Sequence, residues 1–303
     1  MPIKKSAIWF ALGFVLSACA TPVPSSEDAA VSADTDTCAS AEMIGRFNPQ
    51  KDLFLAQFDI KTDTDDLHSA AAVATMLAHP RFACVSYAAV SGTYGMQGGA
   101  YVDPETLFEN AFGDNWVDAH NRKVAAASEL AARAGPVLAN GGHVWIMEGG
   151  QSDVSAETLR QILAASAAAE MASRFHVVQH SDWNEQVTTP EDLAFVQQTA
   201  DYIKIADGNV VGNGTPGFQT SDVTAWAALL AAEGVGAVWQ QTKDLALRHN
   251  GSGRTAEDIA IGGYNNQAIG AGGLDFSDAS EMAYIFGYES LADVDAFVET
   301  FVR

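Results

Sequence analysis

Positive charge is scarce in this chain. The sequence has 16 lysines and arginines against 38 aspartates and glutamates, which gives a formal net charge of −22 at pH 7. A surface this acidic repels the phosphate backbone of DNA or RNA, so the charge balance argues against nucleic acid as a partner. It is typical of a soluble protein with an acidic surface that faces a salty medium.

Cysteines and nucleotide-binding motifs are also few. The chain has 3 cysteines, no CxxC pair and no cluster of histidines, which argues against a zinc site. The glycine-rich segment 207–218 has neither the GxGxxG nor the GxxxxGK[ST] spacing, so a cradle for nucleotide phosphates is unsupported. Such a segment is either a cover over a site or a plain surface excursion, and we favour the cover.

The first residues have the pattern of a secretory signal. Two lysines precede an apolar run, residues 7–16, that is too short to span a bilayer. The sequence Leu-Ser-Ala-Cys that ends at Cys19 resembles the bacterial lipobox, which implies cleavage before Cys19 and acylation of its sulfur. An ordinary signal cleaved after Ala18 or Ala20 is the alternative, and it leaves Cys19 unexplained. We therefore predict a lipid anchor in the bacterial cell envelope, in the periplasm or at the cell surface.

The segment after this signal is poor in large apolar side chains. It cannot bury enough surface to offset its ordering entropy, so we predict a solvated tether. Residues 1–18 are then the signal, 19–41 the tether and 42–303 the folded part, whose length of about 260 residues suits one large domain. Cys38 in the tether and Cys84 in the domain are able to pair in an oxidising compartment, and the sequence leaves this open.

The stretch from Leu53 to Leu77 predicts a strand, an acidic turn and a helix. An apolar run ends at Phe58, a Leu/Ala/Val stripe at helical spacing begins at Leu67, and four aspartates and a lysine lie between positions 59 and 66. One or two acids are explained as helix caps. Four acids repel one another unless a metal, the lysine or a polyhydroxyl ligand compensates, so we predict a site. Its residues are Asp59, Lys61, Asp63, Asp65 and Asp66.

Apolar runs typical of strands alternate with alanine-rich helical runs through the rest of the chain. This order predicts an α/β fold with a mostly parallel central sheet flanked by helices, and ligands are expected at the carboxyl ends of its strands. We expect further strands at residues 82–90, 136–139, 144–147, 175–179, 202–205 and 235–239. We expect further helices at residues 117–133, 155–173, 190–199, 222–233 and 291–301.

The segment that follows residues 175–179 has the chemistry of a sugar clamp. Asp182 and Asn184 would bind adjacent hydroxyls and Trp183 would supply an apolar wall, the alternative being a loop with a core tryptophan. His180 by itself is more simply a hydrogen-bonded structural histidine. Asp278, just before a predicted helix, is most simply a helix cap.

These segments together resemble the inosine/uridine-preferring nucleoside hydrolase family. The acidic turn matches its DxDxGxDD motif, with Asp59, Lys61, Asp65 and Asp66 at the four acidic positions. Residues 149–153 are similar to its GPLTN turn, residues 182–184 to its ExN sugar clamp and residues 277–284 to its HDPxAxAY segment. The resemblance covers residues 54–303.

The resemblance implies one α/β domain that hydrolyses an N-glycosidic bond with inversion. In that family calcium holds a water and the ribose 2′ and 3′ hydroxyls, and an aspartate activates the water. Calcium is the one cofactor that the resemblance suggests, and the small-molecule partner is a nucleoside or another sugar compound. The metal ligands would be Asp66, Asp278 and the backbone carbonyl of Ser152.

Two positions depart from the family pattern. Lys61 replaces an aspartate that binds calcium and acts as general base, and Ser277 replaces a histidine implicated in protonating the leaving base. An ammonium removes an oxygen ligand and adds like charge next to a dication. We therefore expect the Lys61 ammonium in or beside the metal position, paired with Asp59, Asp66 and Asp278, and calcium to bind weakly or not at all.

Three functions follow from these residues. The first is hydrolysis of a glycosidic bond, in which an aspartate of the turn activates water, Lys61 orients hydroxyls, and His180 or Glu185 protonates the leaving group. The second is an anchored protein that binds a sugar or nucleoside without turnover, which Lys61 and Ser277 favour. The third, a structural envelope protein, leaves the acidic cluster unexplained. The candidate catalytic residues are Asp59, Lys61, Asp65, Asp66 and His180, and the candidate substrate-binding residues are Asp182, Trp183, Asn184 and Glu185.

Overall fold

Strands and helices alternate along the chain in the computed structural model, which describes residues 38–61, 64–166, 169–210, 212–251 and 265–303. The strands are β1 (Leu53–Phe58), β2 (Ser86–Ser91), β3 (Trp116–Asp118), β4 (Val144–Gly149), β5 (Phe175–Gln179), β6 (Asp201–Lys204), β7 (Gln219–Thr220) and β8 (Leu274–Asp275). The longer helices are α1 (Asp65–Ala78), α2 (Glu105–Phe112), α3 (Lys123–Ala139), α4 (Asp153–Ala165), α7 (Pro190–Thr199), α9 (Gly236–His249) and α12 (Val294–Phe301). The shorter helices are α5 (Ala169–Ala172), α6 (Asp182–Val187), α8 (Trp226–Ala231), α10 (Gln267–Gly270) and α11 (Ser280–Phe286).

Six of these strands form one parallel sheet in the order β3-β2-β1-β4-β5-β6. β1 and β4 are buried along their whole length, as parallel strands are when helices cover both faces of the sheet. The predicted α/β fold with a parallel sheet between helices is therefore confirmed. β7 and β8 form a separate antiparallel pair.

Successive residues of β1 point into two different hydrophobic cores. Phe54, Ala56 and Phe58 pack in one core with residues of α1, α2 and α9, and Leu53 and Leu55 pack in the other with residues of α3 and α4. This alternation follows from the two-residue period of a strand. Both faces of β1 are therefore filled by apolar side chains up to Phe58, and the polar residues of the acidic turn begin directly after it.

Two predicted strands were wrong. Residues 136–139 form the last turn of α3, where Leu130, Ala134 and Leu138 continue one buried helical face. Residues 235–239 belong to the start of α9, where Val238, Trp239, Thr242 and Ala246 are buried at helical spacing. In both places a short apolar run belongs to a longer helical stripe, and four or five residues do not distinguish the two periods.

Several predicted boundaries also moved. Residues 117 and 118, which we expected at the start of a helix, belong to the edge strand β3, and the helix begins at Lys123. β2 begins at Ser86 because Pro80–Phe82 form a 3₁₀ turn. The helices expected at 155–173, 222–233 and 291–301 are Asp153–Ala165 followed by Ala169–Ala172, Trp226–Ala231, and Val294–Phe301. The strand at 175–179 and the helix at 190–199 have the predicted bounds.

Cys38 and Cys84 form a disulfide, with Cα atoms 5.4 Å apart. Cys84 lies just before β2, so the bond ties residue 38 to the amino-terminal edge of the sheet, opposite the strand ends that carry the acidic turn. Within the described ranges, no helix is both long and apolar enough to cross a membrane. Cys19 and Asp63 lie outside the described residues.

Candidate active site at the carboxyl ends of strands 1 and 4

The two halves of the sheet meet between β1 and β4. It runs outward from β1 through β2 and β3, then crosses to β4 and runs outward through β5 and β6. Loops at the carboxyl ends of such a strand pair diverge and leave a crevice, which is the usual ligand position in open parallel sheets. Asp59 follows β1 at this point, and Gly150 follows β4.

Two glycines let the polar groups approach one another here. A Cβ on Gly150 would lie 2.6 Å from the carbonyl oxygen of Thr93 and 3.0 Å from the Cβ of Asp59. A Cβ on Gly149 would lie 3.0 Å from the Cβ of Asp278 and 3.5 Å from Oδ1 of Asp66. The end of β4 is therefore the surface around which three acids gather, Asp59, Asp66 and Asp278, all of them buried.

Asp59 and Asp66 form a pair of coupled carboxyls. Burial raises the pKa of Asp59, although hydrogen bonds from Asp66, the Lys61 N–H and Gln151 act in the opposite direction. Burial and the charges of Asp59, Asp278 and Asp65 raise the pKa of Asp66 well above its usual range. The hydrogen bond between the two side chains favours ionised Asp59 and protonated Asp66, because it lowers one pKa and raises the other.

The hydrogen bonds around the pair agree with this distribution of the proton. Oδ1 of Asp59 accepts from the Lys61 N–H at 2.8 Å, and Oδ2 accepts from Nε2 of Gln151 at 3.0 Å, as suits a carboxylate. Oδ2 of Asp66 accepts from the Ile60 N–H at 2.6 Å, whereas its Oδ1 is buried and meets no donor among the described residues. A buried oxygen without a donor is best served when it carries the proton itself.

The backbone between the two acids is held in an uncommon conformation. Ile60 has φ +56°, in the left-handed region that a β-branched residue rarely adopts, and its side chain is fully buried. This conformation costs of order 1–3 kcal/mol. It points the Ile60 N–H at Asp66 and the Lys61 N–H at Asp59, so the strained turn holds both carboxyls.

Lys61 is buried and lies against the segment that follows β2. Its Nζ donates to the carbonyl oxygen of Gly99 at 3.2 Å and lies 4.0 Å from the centroid of the Tyr94 ring. Its charge lowers the pKa of Asp59. The ammonium therefore faces into the protein near the acid pair, and its expected pairing with Asp59, Asp66 and Asp278 together stays a prediction.

Gln151 joins three polar side chains beside Asp59. Its Nε2 lies 3.0 Å from Oδ2 of Asp59, 2.7 Å from Oε1 of Gln97 and 3.3 Å from Oδ1 of Asn184, and its Oε1 accepts from the Gly95 N–H. Asn184 is thereby brought to the acid pair, where we expected it. Gln97 and Gln151 were not among the predicted residues, because a neutral amide in a glycine-rich loop carries no motif.

His180 is buried in an ion pair with Glu281 of α11. Its Nδ1 lies 2.8 Å from Oε1 of Glu281, and its Nε2 lies 3.7 Å from Oδ1 of Asp278. Burial lowers the pKa of His180, but the carboxylates of Glu281, Asp278 and Asp207 outweigh it and raise the pKa to about 9. The imidazole is therefore a cation at neutral pH, with its Nε2–H on the side of Asp278.

A second buried acid, Glu148, lies at the end of β4. Its two oxygens accept from the hydroxyls of Ser152 and Ser155, each at 2.7 Å. Burial raises the pKa of Glu148 to about 7, although these hydrogen bonds and that of Gln179 lower it. Gln179 also donates to the carbonyl of Gly150 at 2.9 Å, so Glu148 belongs to the hydrogen-bonded layer beneath the acid pair.

The predicted sugar clamp is divided by a helix. Residues 182–187 form α6 rather than a loop, and positions two apart on a helix point to different sides. Asn184 points inward and is buried, whereas the carboxylate of Asp182 is 85% exposed and pairs with Lys204. The structure therefore does not place Asp182 and Asn184 side by side, and their joint role on one ligand stays a prediction.

Other predicted residues lie at the edge of the cluster. Glu185 pairs with Lys204 and accepts from the hydroxyl of Tyr202, and Trp183 is half-buried on α6. Asp65 is in the first turn of α1, where its Oδ1 accepts from the N–H of Asp66. Thr64, the residue before α1, makes no capping hydrogen bond with its side chain. Asp278 does not cap α11, because it lies within the 3₁₀ turn Ser277–Ala279 and the residue before α11 is Ala279.

The donors present do not fit a calcium ion. The carbonyl oxygen of Ser152 accepts from the Ala156 N–H, and its hydroxyl donates to Glu148. The raised pKa of Asp66 favours its protonated form, and both oxygens of Asp59 accept hydrogen bonds from N–H groups. In the described part of the chain, no group of three or more His, Cys, Asp or Glu side chains is arranged to hold a metal. We therefore derive no chemistry through calcium.

Comparison with protein-family models, curated proteins and solved structures finds no match for this chain.

Proposed function

We propose that this protein is a hydrolase that cleaves a glycosidic bond, of an N-glycosyl compound or another glycoside, by direct attack of water. The observation that supports the proposal most is the coupled pair of Asp59 and Asp66 at the sheet's crossover crevice. The coupling separates the protonation states of the two carboxyls, which leaves Asp59 as the ionised group that a general base must be.

Asp59 is the general base in this proposal. Its carboxylate takes a proton from water, and the water oxygen attacks the anomeric carbon as the bond to the leaving group breaks. The positive charge that develops on the sugar is stabilised by the surrounding carboxylates. Asp66 retains its proton and donates it in a hydrogen bond to Asp59, which keeps the second carboxyl from repelling the base.

His180 is the general acid. Its Nε2–H gives a proton to the leaving nitrogen or oxygen, and the electron pair of the broken bond leaves with that atom. Glu281 holds Nδ1, so the ring keeps one orientation while Nε2 reacts. The base and the acid come from opposite sides of β4, as an inverting hydrolysis needs.

The test is the release of reducing sugar from a panel of nucleosides and glycosides by the full-length chain. We expect Asp59→Asn and His180→Gln each to lower kcat by about 100-fold or more, the usual contribution of a general base or acid. Asp182→Asn is the matched control, because Asp182 is exposed on α6, and we expect it to retain activity. Equal rates for Asp59→Asn and the wild type on every active substrate would overturn the assignment.

The second candidate is a binding protein that holds a sugar or nucleoside without turnover. Two observations favour it. Both oxygens of Asp59 already accept hydrogen bonds from the protein. The Ser277 hydroxyl is hydrogen-bonded to Asp275 and Asn209 and is not a general acid. Calorimetric titration of the panel separates the candidates. Tight binding without sugar release would support the binding protein.

We also propose that Cys19 carries a lipid and anchors the protein in the bacterial envelope. The support is the sequence pattern before Cys19 alone. Fractionation of cells that express the wild type and Cys19→Ser tests it. We expect the wild type in the membrane fraction and the variant in the soluble fraction, and an unchanged distribution would exclude the anchor.

A further inference from the structure

The strand β3 is an open edge of the parallel sheet. It stands last in the strand order and pairs with β2 alone. The Ala89 N–H of β2 donates to the carbonyl oxygen of Asn115, so Asn115 and Val117 direct their backbone groups at β2. Successive residues of a strand alternate, so the N–H and C=O groups of Trp116 and Asp118 point away from the sheet.

The outward backbone groups of β3 face a groove. Within the described ranges, no residue forms a hydrogen bond with the outward N–H and C=O groups of Trp116 and Asp118. A cavity of about 680 Å³ lies beside β3, and Asp103 and Glu105 at the start of α2 and Glu129 of α3 line it together with the strand. Edge groups that are unpaired and open to a groove form a template for one more strand.

The side of the groove next to α2 is acidic. Trp116 packs with the core beside α2 and Val117 with the core beside α3, so Asp118 shares the α2 face with Trp116. Asp103 and Glu105 are exposed at the start of the same helix. This side therefore presents three carboxyls, and the cavity lining adds no lysine or arginine to it.

The side of the groove next to α3 is neutral. The Arg122 guanidinium lies 2.9 Å from Oε1 of Glu129, so the two charges offset each other. Side chains of an added strand alternate between the two sides. The complementary peptide thus has lysine or arginine at every second position, facing the acids, and an uncharged residue between them.

The charge pattern argues against two other occupants of this edge. A second copy of the chain has the same net charge of −22 and would bring the acids of two grooves against each other. Residues 20–41 of the chain itself contain four acids and no lysine or arginine, so they are repelled as well. A basic segment of another protein is the occupant that the charges favour.

We propose that the outer edge of β3 binds an extended segment of another protein as an added strand, with lysine or arginine at every second residue. The backbone of this segment pairs with Trp116 and Asp118, and its basic side chains face Asp103, Glu105 and Asp118. The three residues of β3 span about 10 Å, so the contact is small and suits a transient partner. The proposal does not depend on the proposed hydrolysis.

The probe is the peptide acetyl-Lys-Val-Lys-Val-Lys-amide, and its binding to the full-length chain is measured by calorimetry at low salt. We expect saturable binding of one peptide per chain. The counterpart with glutamate in place of lysine should not bind, because its carboxylates would face those of the groove. Absence of binding by the lysine peptide would overturn the proposal.

Two N-methylated forms of the probe test the backbone pairing. Methyl groups on the lysine nitrogens block one edge of the extended peptide, and methyl groups on the valine nitrogens block the other, because N–H groups alternate along a strand. One form should bind at least about tenfold more weakly than the unmodified probe, and the other should stay within about threefold. The form that is lost gives the direction of the added strand. Equal affinities of the two forms would overturn the strand pairing and mean that the groove attracts cations only.

A charge reversal locates the peptide on the protein. Glu105→Lys places an ammonium against the lysines of the probe and should weaken binding by at least about tenfold. Glu191→Lys is the matched control, because Glu191 is also an exposed acid in the first turn of a helix, α7, and the change in net charge is the same. We expect this control to bind within about twofold of the wild type.

The remaining outcomes are decided by folding and by oligomeric state. Melting temperatures verify that each variant is folded, and if Glu105→Lys is not, Glu105→Gln decides, with an expected loss of about threefold. Equal binding by the Glu105 and Glu191 variants would place the peptide elsewhere and refute the assignment to β3. A dimer of the chain alone that Glu105→Lys dissociates would assign this edge to a second copy and also refute it.

Discussion

Glu281 holds His180 through two hydrogen bonds: Oε1 of the acid lies 2.8 Å from Nδ1 of the ring and 3.1 Å from the backbone nitrogen of His180. Both groups are buried, so the ion pair acts without screening by water. It keeps the imidazole charged at neutral pH and leaves Nε2 on the side of Asp278.

Glu281→Gln is expected to lower the pKa of His180, because a neutral amide no longer favours the imidazolium against burial. In the wild type kcat should decrease as the pH rises above about 9, where His180 loses its proton. In the variant this decrease should begin at a lower pH, so that kcat at pH 8 is about tenfold or more below kcat at pH 6. A pH–rate profile checks this. Glu289→Gln, which removes the surface pair with Arg46, is the control. An unmoved alkaline limb in a folded variant would mean that His180 is not the acid.

The same ion pair makes stability depend on pH. The pKa of His180 is raised from 6.5 to about 9 in the folded state, so its contribution is complete below pH 6.5 and is lost as the pH rises through about 9. Chemical denaturation at pH 6.5 and 9.5 should show this loss in the wild type and a smaller one in Glu281→Gln. Equal losses in the two proteins would contradict the assigned charge state.

Asp59 and Asp66 are expected to respond differently to the same substitution. The raised pKa of Asp66 favours its protonated form, so Asp66→Asn should replace one neutral group with another and change the free energy of unfolding by about 1 kcal/mol or less. Asp59→Asn removes the ionised member and should lower kcat by about 100-fold or more while the protein stays folded. Denaturant unfolding and kcat are measured for both variants. A greater loss of stability in Asp66→Asn than in Asp59→Asn would show that the proton sits on Asp59.

The acidic turn was predictable because its signal is local. An apolar run that ends at Phe58 predicts the strand, the acids after it predict the turn, and the helical stripe that follows predicts the helix. All three signals lie within about 25 consecutive residues. The parallel sheet follows from the same alternation repeated along the chain. Short apolar runs such as residues 136–139 carry no such signal, because their period is set by the helix to which they belong.

The hydrogen-bonded layer around the acids was not predictable in the same way. Gln97 and Gln151 are 54 positions apart and meet only because the loops after β2 and β4 converge. Asp182 was misplaced because we expected a loop where the chain forms a helix. Glu148 and Glu281 did leave a trace, since each is an acid within an otherwise apolar run, a position where a raised pKa is common.

Calcium is expected to leave the stability of the protein unchanged. The raised pKa of Asp66 favours its protonated form, N–H groups donate to both oxygens of Asp59, and the positive charge of the nearby Lys61 repels a second cation. Adding submillimolar calcium or a chelator should shift the melting temperature by less than about 1 °C, because a ligand stabilises only in proportion to its binding. Magnesium at the same concentration controls for ionic strength. A clear calcium-dependent rise would refute this.

The disulfide is expected to contribute to stability through the length of the segment that it closes. Cys38 and Cys84 are 46 positions apart, and closing a loop of this size removes up to about 4 kcal/mol of chain entropy from the unfolded state. The double variant Cys38→Ala, Cys84→Ala should lose about 2–4 kcal/mol of unfolding free energy. The wild type measured with and without reductant is the companion experiment. A loss in the double variant with no effect of reductant would indicate damaged packing rather than a missing crosslink.

Glu148 is expected to make the protein less stable as the pH rises toward neutrality. Its pKa is raised from 4.5 to about 7 in the folded state, so the folded protein binds a proton that the unfolded chain has released between these values. The contribution of Glu148 to the free energy of unfolding is fully present below pH 4.5. It decreases by about 3 kcal/mol as the pH rises through 7. Glu148→Gln keeps the contacts with the Ser152 and Ser155 hydroxyls but does not titrate. The difference in unfolding free energy between pH 5 and pH 8 should therefore be about 3 kcal/mol smaller in the variant. Glu129 is an exposed acid paired with Arg122, and Glu129→Gln is the control that should leave this difference unchanged. An unchanged difference in Glu148→Gln would mean that Glu148 is ionised in the folded protein from pH 5 to pH 8.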